Sequence, residues 1–389
     1  MTPRPECDTY RAIGKPTHTG ARNGRLPADT DAVETLLDRE AVSLDVERFG
    51  DYLVEATVLV TGAGGSIGVE LCGQLARLGA STLVLVDHSE ASLVALARAL
   101  RAEHGFEGAT PVLADIKSRA RMFEVFERYR PDVVFHAAAY KHVPLLEDAP
   151  VEGVATNVLG TKCVVDAARH VDTRHFVLFS TDKAVQPTNV LGQTKAVAEW
   201  IVAAVGRQAG RQFASVRLGN VVDSTGSILP MFRGQVARGG PITVTHPSAT
   251  RYLITAAEAA GLAIVAGRFA DSNSIFWLES GPPVSVLDLA RRLAAVAAPH
   301  DVGIEFVGLR TGERLHEQLF SHGDEVALTP CEHIWTSPVH QVQHAWLEEW
   351  LAVLERHVEC ASTELVRAAL AEMHAGPQRE PLRPAEVVA

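Results

Sequence analysis

From Thr57 onward the chain repeats one pattern: a short, nearly continuous aliphatic run, a turn, then a longer stretch with apolar residues three and four apart. TVLVTG leads into VELCGQLARLG, STLVLVD into EASLVALARALRAEHG, and TPVLAD into RMFEVFERYR. Aliphatic runs without polar alternation fit strands covered on both faces, and the helical period between them fits amphipathic helices. The alternation continues through DVVFHAAA, the long helical stretch VEGVATNVLGTKCVVDAARH and HFVLFS. It predicts an α/β fold with a Rossmann-type, doubly wound parallel sheet.

A long helix over GQTKAVAEWIVAAVGRQAG and a strand in ASVRLGNV follow; from about Val222, Gly and Pro interrupt the pattern at SILP, RGGPITVTHPS and SGPPVS. A smaller C-terminal α/β lobe is expected over 222–375, with some elements free to return to the main domain of 57–221. SVLDLARRLAAVA and GIEFVG supply a helix and a strand there. Residues 1–30 read as a loose leader, 31–56 as a helical lead-in starting at DAVETLLDRE, and 376–389 as a frayed tail.

Composition narrows the function classes. A net charge of −11 without a dense Lys/Arg block gives nucleic acid no counter-surface, although a pocket for an anionic small molecule needs only a few local cations. The five cysteines include no C-x-x-C pair, so neither a disulfide framework nor a metal site is expected. No signal peptide or membrane-spanning run is apparent, and a reducing cytoplasm is the expected location.

TGAGGSIG, Thr61 to Gly68, sets Gly62, Gly65 and Gly68 between a strand and a helix, with Ser66 and Ile67 opening the helix. Such glycines allow a tight turn and close approach to a pyrophosphate, which the helix N-terminus attracts. Asp87 ends the second strand 19 residues after Gly68, where a carboxylate can accept both ribose hydroxyls of an adenosine. It would repel a 2′-phosphate, and neither His88 nor Ser89 could receive one, so NAD is expected over NADP. The plainer reading of Asp87 is a cap on the next helix. Asp115 and Ile116 could reach the adenine, and Ala137 and Ala138 could lie beside the cofactor.

The densest polar cluster is FSTDKAVQPTNVLGQTK, Phe179 to Lys195. Together with AAYKHVPLLED, NVLGT, VRLGNV, GGPITVTHPSATRY and GLRTGERLHE, it resembles the capsular-polysaccharide nucleotide-sugar dehydratases, extended short-chain dehydrogenase relatives that convert UDP-N-acetylhexosamines into 4-keto-6-deoxy sugars. The resemblance covers roughly residues 33–330 and implies one bound NAD that takes hydride from C4 and returns it at C6. It implies Lys183 as base for the C5 proton, Asp182 as acid for the C6 hydroxyl, Thr181 on the C4 hydroxyl and Lys195 on the nicotinamide ribose. Lys141, His142 and Asn157 would line the cleft, Asn220 would meet the diphosphate or the sugar, and Arg251 and Arg310 the pyrophosphate. Glu313 would accept uridine ribose hydroxyls.

The bland alternatives are a surface ion pair for Asp182 and Lys183, hydrogen-bonded structural roles for His142 and Asn157, and a solvated face for the arginines and Glu313. The chain carries Leu191 where the wider superfamily has a Tyr four residues before its catalytic Lys. That leaves a C4 or C5 epimerase, or a nucleotide-sugar-binding protein, as rival readings. A homo-oligomer, dimer or larger, is expected because helices flanking such sheets often pair between subunits.

Overall fold

Burial follows the aliphatic runs. The computed structural model describes Leu37 and residues 39–297, 302–321 and 323–375; the expected leader, the tail and most of the stretch from Asp31 lie outside the described residues. A helical turn at Val46–Phe49 precedes β1 (Thr57–Thr61), α1 (Ser66–Arg77), β2 (Thr82–Asp87), α2 (Glu90–His104), β3 (Ala109–Leu113), α3 (Arg119–Tyr129) and β4 (Val133–His136). Short helical pieces and a π-helical segment, Val154–Gly160, lead into α4 (Thr161–His170), then β5 (His175–Thr181), α5 (Val190–Ala209) and β6 (Gln212–Leu218). Helix limits follow local chemistry. The Asn189 side chain caps α5 by accepting from Gly192 N, and Gly210, at φ 60°, ends it in the left-handed region.

Beyond β6 come β7 (Asn220–Val221), α6 (Ile228–Ala237), β8 (Ile242–Val244), β9 (Thr250–Arg251), β10 (Leu253–Ile254), α7 (Ala256–Phe269) and β11 (Ser274–Leu278). They are followed by β12 (Val284–Ser285), α8 (Val286–Ala297), β13 (Ile304–Phe306), β14 (Ala327–Leu328), β15 (Ile334–Pro338), α9 (His344–Glu359) and α10 (Thr363–Ala375).

The main sheet has nine strands in the order β14-β15-β11-β6-β5-β4-β1-β2-β3. Pairing is parallel from β3 to β11 and antiparallel where β15 and β14 extend the edge. Strand order reverses between β1 and β4, the position at which doubly wound sheets open a crevice beyond their strand ends. This is the α/β, Rossmann-type sheet expected from the alternation.

Two apolar layers cover its faces, one including α3, α4 and α5, the other α1, α2 and α7. Leu229, Phe232, Ile242, Val244, Leu289 and Leu293 belong to a third, smaller core formed by α6, β8 and α8. The stretch after Val222 is therefore divided: α7, β11 and β15 join the main sheet and its cover, while α9 and α10 pack through Leu347, Leu351, Leu354, Val366 and Leu370 into the layer that holds α5. Among the described residues no helix is long and apolar enough to cross a membrane.

Candidate active site

The crevice begins at the glycine turn. Gly62 has φ +66°, and a Cβ there would lie 2.7 Å from the Ala138 nitrogen, so the turn after β1 is pressed against the Ala137–Ala138 backbone that follows β4. A Cβ at Gly68 would collide with the Gly62 carbonyl. No side chain caps the start of α1, whose first amides are left for an anion. Asp87 is buried, and its two oxygens accept from Gly64 N and Ser89 N, each at 2.9 Å. It thus fixes the glycine turn, while each oxygen retains a lone pair for a further donor. Ile116 is buried against Gly160; Asp115 is half exposed, accepts from Lys117 N and stands 3.6 Å from Lys117 Nζ. A Cβ-free cradle, an uncapped helix start and a carboxylate at the end of β2 together fit a dinucleotide.

Beneath the crevice His136 is wholly buried between two hydroxyls: Nδ1 is 2.6 Å from Thr61 Oγ1 and Nε2 is 2.9 Å from Thr161 Oγ1. Thr161 donates to the Asn157 carbonyl, so it receives the Nε2 proton, and Thr61 donates to Nδ1. Burial, reinforced by the charge of Lys195, pushes His136 down to about 3 and keeps it neutral. Asn157 takes the hydrogen-bonded structural position that was its alternative reading. Fully buried, it accepts from Tyr140 N at 2.9 Å and donates to Tyr140 O at 3.0 Å and Thr194 Oγ1 at 3.2 Å. Those bonds hold the loop that carries Lys141 and His142, and the amide is turned toward that backbone.

Lys195 lies on α5 and is 5% exposed. Burial pushes its ammonium down to about 8, with Glu199 one helical turn later acting in the opposite direction. Glu199 is itself held by Ser180 Oγ at 2.6 Å and by the Arg217 fork at 3.0 and 2.8 Å, which ties α5 to β5 and β6. Leu191 is buried in the apolar layer around α5.

At the end of β5 the chain makes a short turn, Asp182–Ala184, capped by Thr181. Asp182 Oδ1 accepts from Thr181 Oγ1 and from Lys183 Nζ, both at 2.9 Å. Lys183 Nζ also reaches Asn220 Oδ1 at 3.1 Å and Glu317 Oε1 at 3.7 Å. Glu317 is buried, and burial, partly offset by Lys183 and reinforced by Asp182, holds its carboxyl above the usual range. Asp182 and Lys183 are thus part of a buried cluster that also contains a second acid from a distant segment.

That segment, residues 308–317, is strapped to both parts of the molecule. Arg314 donates to Thr188 Oγ1 at 2.8 Å, to Val185 O at 3.2 Å and to Gln186 O, and Asn189 donates to Gly312 O at 2.9 Å. On the other side, Thr250 N and Arg251 donate to Leu315 O, at 2.9 and 3.0 Å. Arg310 and Glu313 hold each other, with Arg310 Nε 2.9 Å from Glu313 Oε1, so a ligand would have to share or divide this pair. Lys141 donates to Ser224 at 3.2 Å. Partial burial and the cations Lys141 and Arg310 keep His142 below the usual histidine range, which marks a locally positive rim on an acidic protein.

Glu317, His136 and Arg314 were not among the candidates drawn from sequence, although Glu317 closes the quoted stretch GLRTGERLHE and His136 opens HAAA. A cavity of about 480 Å³ elsewhere, lined by residues such as Val42, Glu70, Gln74 and Thr255, shares no lining residue with the Lys183 cluster. Among the described residues no group of three or more His, Cys, Asp or Glu is arranged to hold a metal.

The polysaccharide biosynthesis protein family matches residues 58–338, a span that contains the glycine turn, the Lys183 cluster and the strap. The chain belongs to that family. It is 42% identical over 296 residues to capsular polysaccharide biosynthesis protein CapD of Staphylococcus aureus, covering 75% of this chain and 49% of the relative. It is 43% identical over 308 residues to the probable polysaccharide biosynthesis protein EpsC of Bacillus subtilis, covering 78% and 51%. The chain therefore spans about half the length of these relatives. Among solved structures, Pen from Bacillus thuringiensis is similar with a TM-score of 0.69 and 30% identity, covering 74% of this chain and 89% of Pen.

A dTDP-glucose 4,6-dehydratase from Streptomyces venezuelae with NAD bound gives a TM-score of 0.59 at 20% identity, covering 67% of this chain and 87% of that one. A UDP-glucose 4-epimerase from Thermus thermophilus, also with NAD, gives 0.58 at 21%, covering 68% and 90%. These two share the Rossmann-type α/β fold, and the resemblance drawn from the motifs holds at the level of family and fold.

Proposed function

We propose that this family member is a nucleotide-sugar 4,6-dehydratase that uses NAD and acts on a UDP-N-acetylhexosamine, with UDP-N-acetylglucosamine as the substrate to test first. The observation that carries the reading is Lys183 seated between Asp182 and Glu317 beside Thr181. Removing water across C5 and C6 requires a base and an acid close together, whereas a 4-epimerase moves hydride and proton at C4 alone and has no use for such a group. Lys183 takes the C5 proton, Thr181 holds the C4 hydroxyl, and Lys195 orients the nicotinamide ribose. Gly62, Gly65 and the start of α1 receive the pyrophosphate of the dinucleotide, and Asp87 its adenosine ribose. What NAD supplies when bound is hydride exchange with the sugar. Lys141, His142, Arg251 and Arg310 form the cationic side that receives the substrate diphosphate.

The protein is incubated with NAD and UDP-N-acetylglucosamine in deuterated water, and the product mass and the label at C5 are read. Loss of one water with deuterium at C5 is expected, and Lys183→Ala should abolish the exchange while NAD remains bound. A product of unchanged mass would replace this reading with epimerisation.

A further inference from the structure

We infer that Glu317 is the proton donor to the departing C6 hydroxyl in the dehydration proposed above, an inference that rests on that reading. The family resemblance implies Asp182 for this role, and the local geometry distinguishes the two acids. Among the described residues only two carboxylate oxygens are buried without a hydrogen-bond partner, Asp182 Oδ2 and Glu317 Oε2, and both acids face Lys183. Their other oxygens differ. Asp182 Oδ1 accepts from a hydroxyl and an ammonium, which stabilise negative charge, while Glu317 Oε1 lies 3.7 Å from Lys183 Nζ, beyond hydrogen-bond reach.

If both acids ionised, one ammonium would face two buried negative charges, and the uncompensated one would carry a large desolvation cost. A proton on Glu317 removes that cost. Arg251 and Arg314 act against it, but each already donates to backbone carbonyls of the strap or of the 185–189 turn. The raised carboxyl of Glu317 agrees with this placement. Two carboxyl groups in unlike surroundings divide charge stabilisation from proton donation.

The step balances. The step starts after the Lys183 ammonium has given one proton to water, which leaves still less positive charge to hold Glu317 ionised: the free amine removes the C5 proton, the electron pair forms the C5–C6 double bond, and the C6–O bond breaks as Glu317 delivers its proton, releasing water. With NAD bound, the hydride removed from C4 would be available for C6, and Lys183 returns its proton to C5. The proton released when the C4 hydroxyl was oxidised restores Glu317.

Glu317→Gln copies the shape and polarity of the neutral acid but has no proton to give. With UDP-N-acetylglucosamine and NAD it should exchange C5 hydrogen with deuterated water within threefold of the unmodified rate, while water release falls at least about 100-fold, the low end for loss of a general acid. Glu317→Asp, an acid one methylene shorter, should recover at least tenfold of that loss. NAD content and thermal unfolding of each variant report folding. Water release by Glu317→Gln within threefold of normal, or equal loss in the Gln and Asp variants, overturns the acid role alone. An unmodified enzyme that releases no water from the sugar overturns the dehydratase reading and this role together.

Discussion

Asn157 closes both hydrogen bonds on the backbone of Tyr140, accepting from its amide at 2.9 Å and donating to its carbonyl at 3.0 Å. Asn157 is fully buried while Tyr140 is 40% exposed, so water can reach part of the freed backbone, and Asn157→Ala should lower unfolding free energy by about 1–2 kcal/mol. Denaturant titration of the purified variant checks this. Unchanged stability with lost turnover would mean that the amide serves the sugar and not the loop.

Asp87 fixes Gly64 N, and in the proposed cofactor site it also receives the adenosine ribose. Asp87→Ala should weaken NAD binding about tenfold or more and narrow the preference over NADP, since a hydrogen-bond acceptor and a repulsion are removed together. Calorimetric titration with both dinucleotides is the measurement. Equal affinity of the unmodified protein for the two would remove Asp87 from cofactor choice.

Lys195 makes stability depend on alkaline pH. Its ammonium is pushed down to about 8 in the folded protein, against an ordinary 10.5, so between those values the unfolded chain binds more protons. Stability contributed by this group is therefore full above 10.5 and is lost as pH falls toward 8, leaving its burial a net cost at neutrality. Lys195→Met should raise the melting temperature at pH 7 by a few degrees while abolishing turnover. A lower melting temperature would show that the ammonium has partners that compensate its burial.

His136 acts at the other end of the scale. Held near 3 instead of 6.5, it remains neutral in the fold while the unfolded chain protonates. Its contribution is present above pH 6.5 and is lost as pH falls toward 3. His136→Gln should flatten the acid side of the stability profile between these limits, measured by unfolding at stepped pH. An unchanged slope would assign the acid lability to other groups.

Arg314 tests the strap. Arg314→Ala removes three contacts to the 185–189 turn and should raise KM for the UDP-sugar about tenfold, with NAD affinity within twofold, because the glycine turn is untouched. Steady-state kinetics with cofactor titration separates the two effects. A matching fall in NAD affinity would make the strap part of the dinucleotide site.

The glycine turn, Asp87 and the Thr181–Asp182–Lys183 turn were legible because each is a local pattern at a strand end. Glu317 was not, since its meeting with Lys183 depends on a return of the chain from beyond β13 that no periodicity announces. Arg310 and Glu313 were read as two separate ligand contacts, yet their spacing lets them satisfy each other. β15 has no continuous aliphatic run in IWTSP, so the antiparallel edge of the sheet was hidden. α9 is different: Trp346, Leu347, Trp350, Leu351 and Leu354 recur at helical spacing, so the helix itself is legible. What the pattern could not name was its partner face on Trp200 of α5.

The strap also sets an order in time. Translation passes the glycine turn before it reaches the strap, and domains begin to fold in that direction. By the time β6 has emerged, the cradle after β1 and the Asp182–Lys183 turn have all their local sequence. The second acid is still unmade. A chain ended there would carry both turns but lack Glu317 and the faces of α7, α9 and α10 that cover the sheet, so the cluster around Lys183 is complete only once the chain has run past β13.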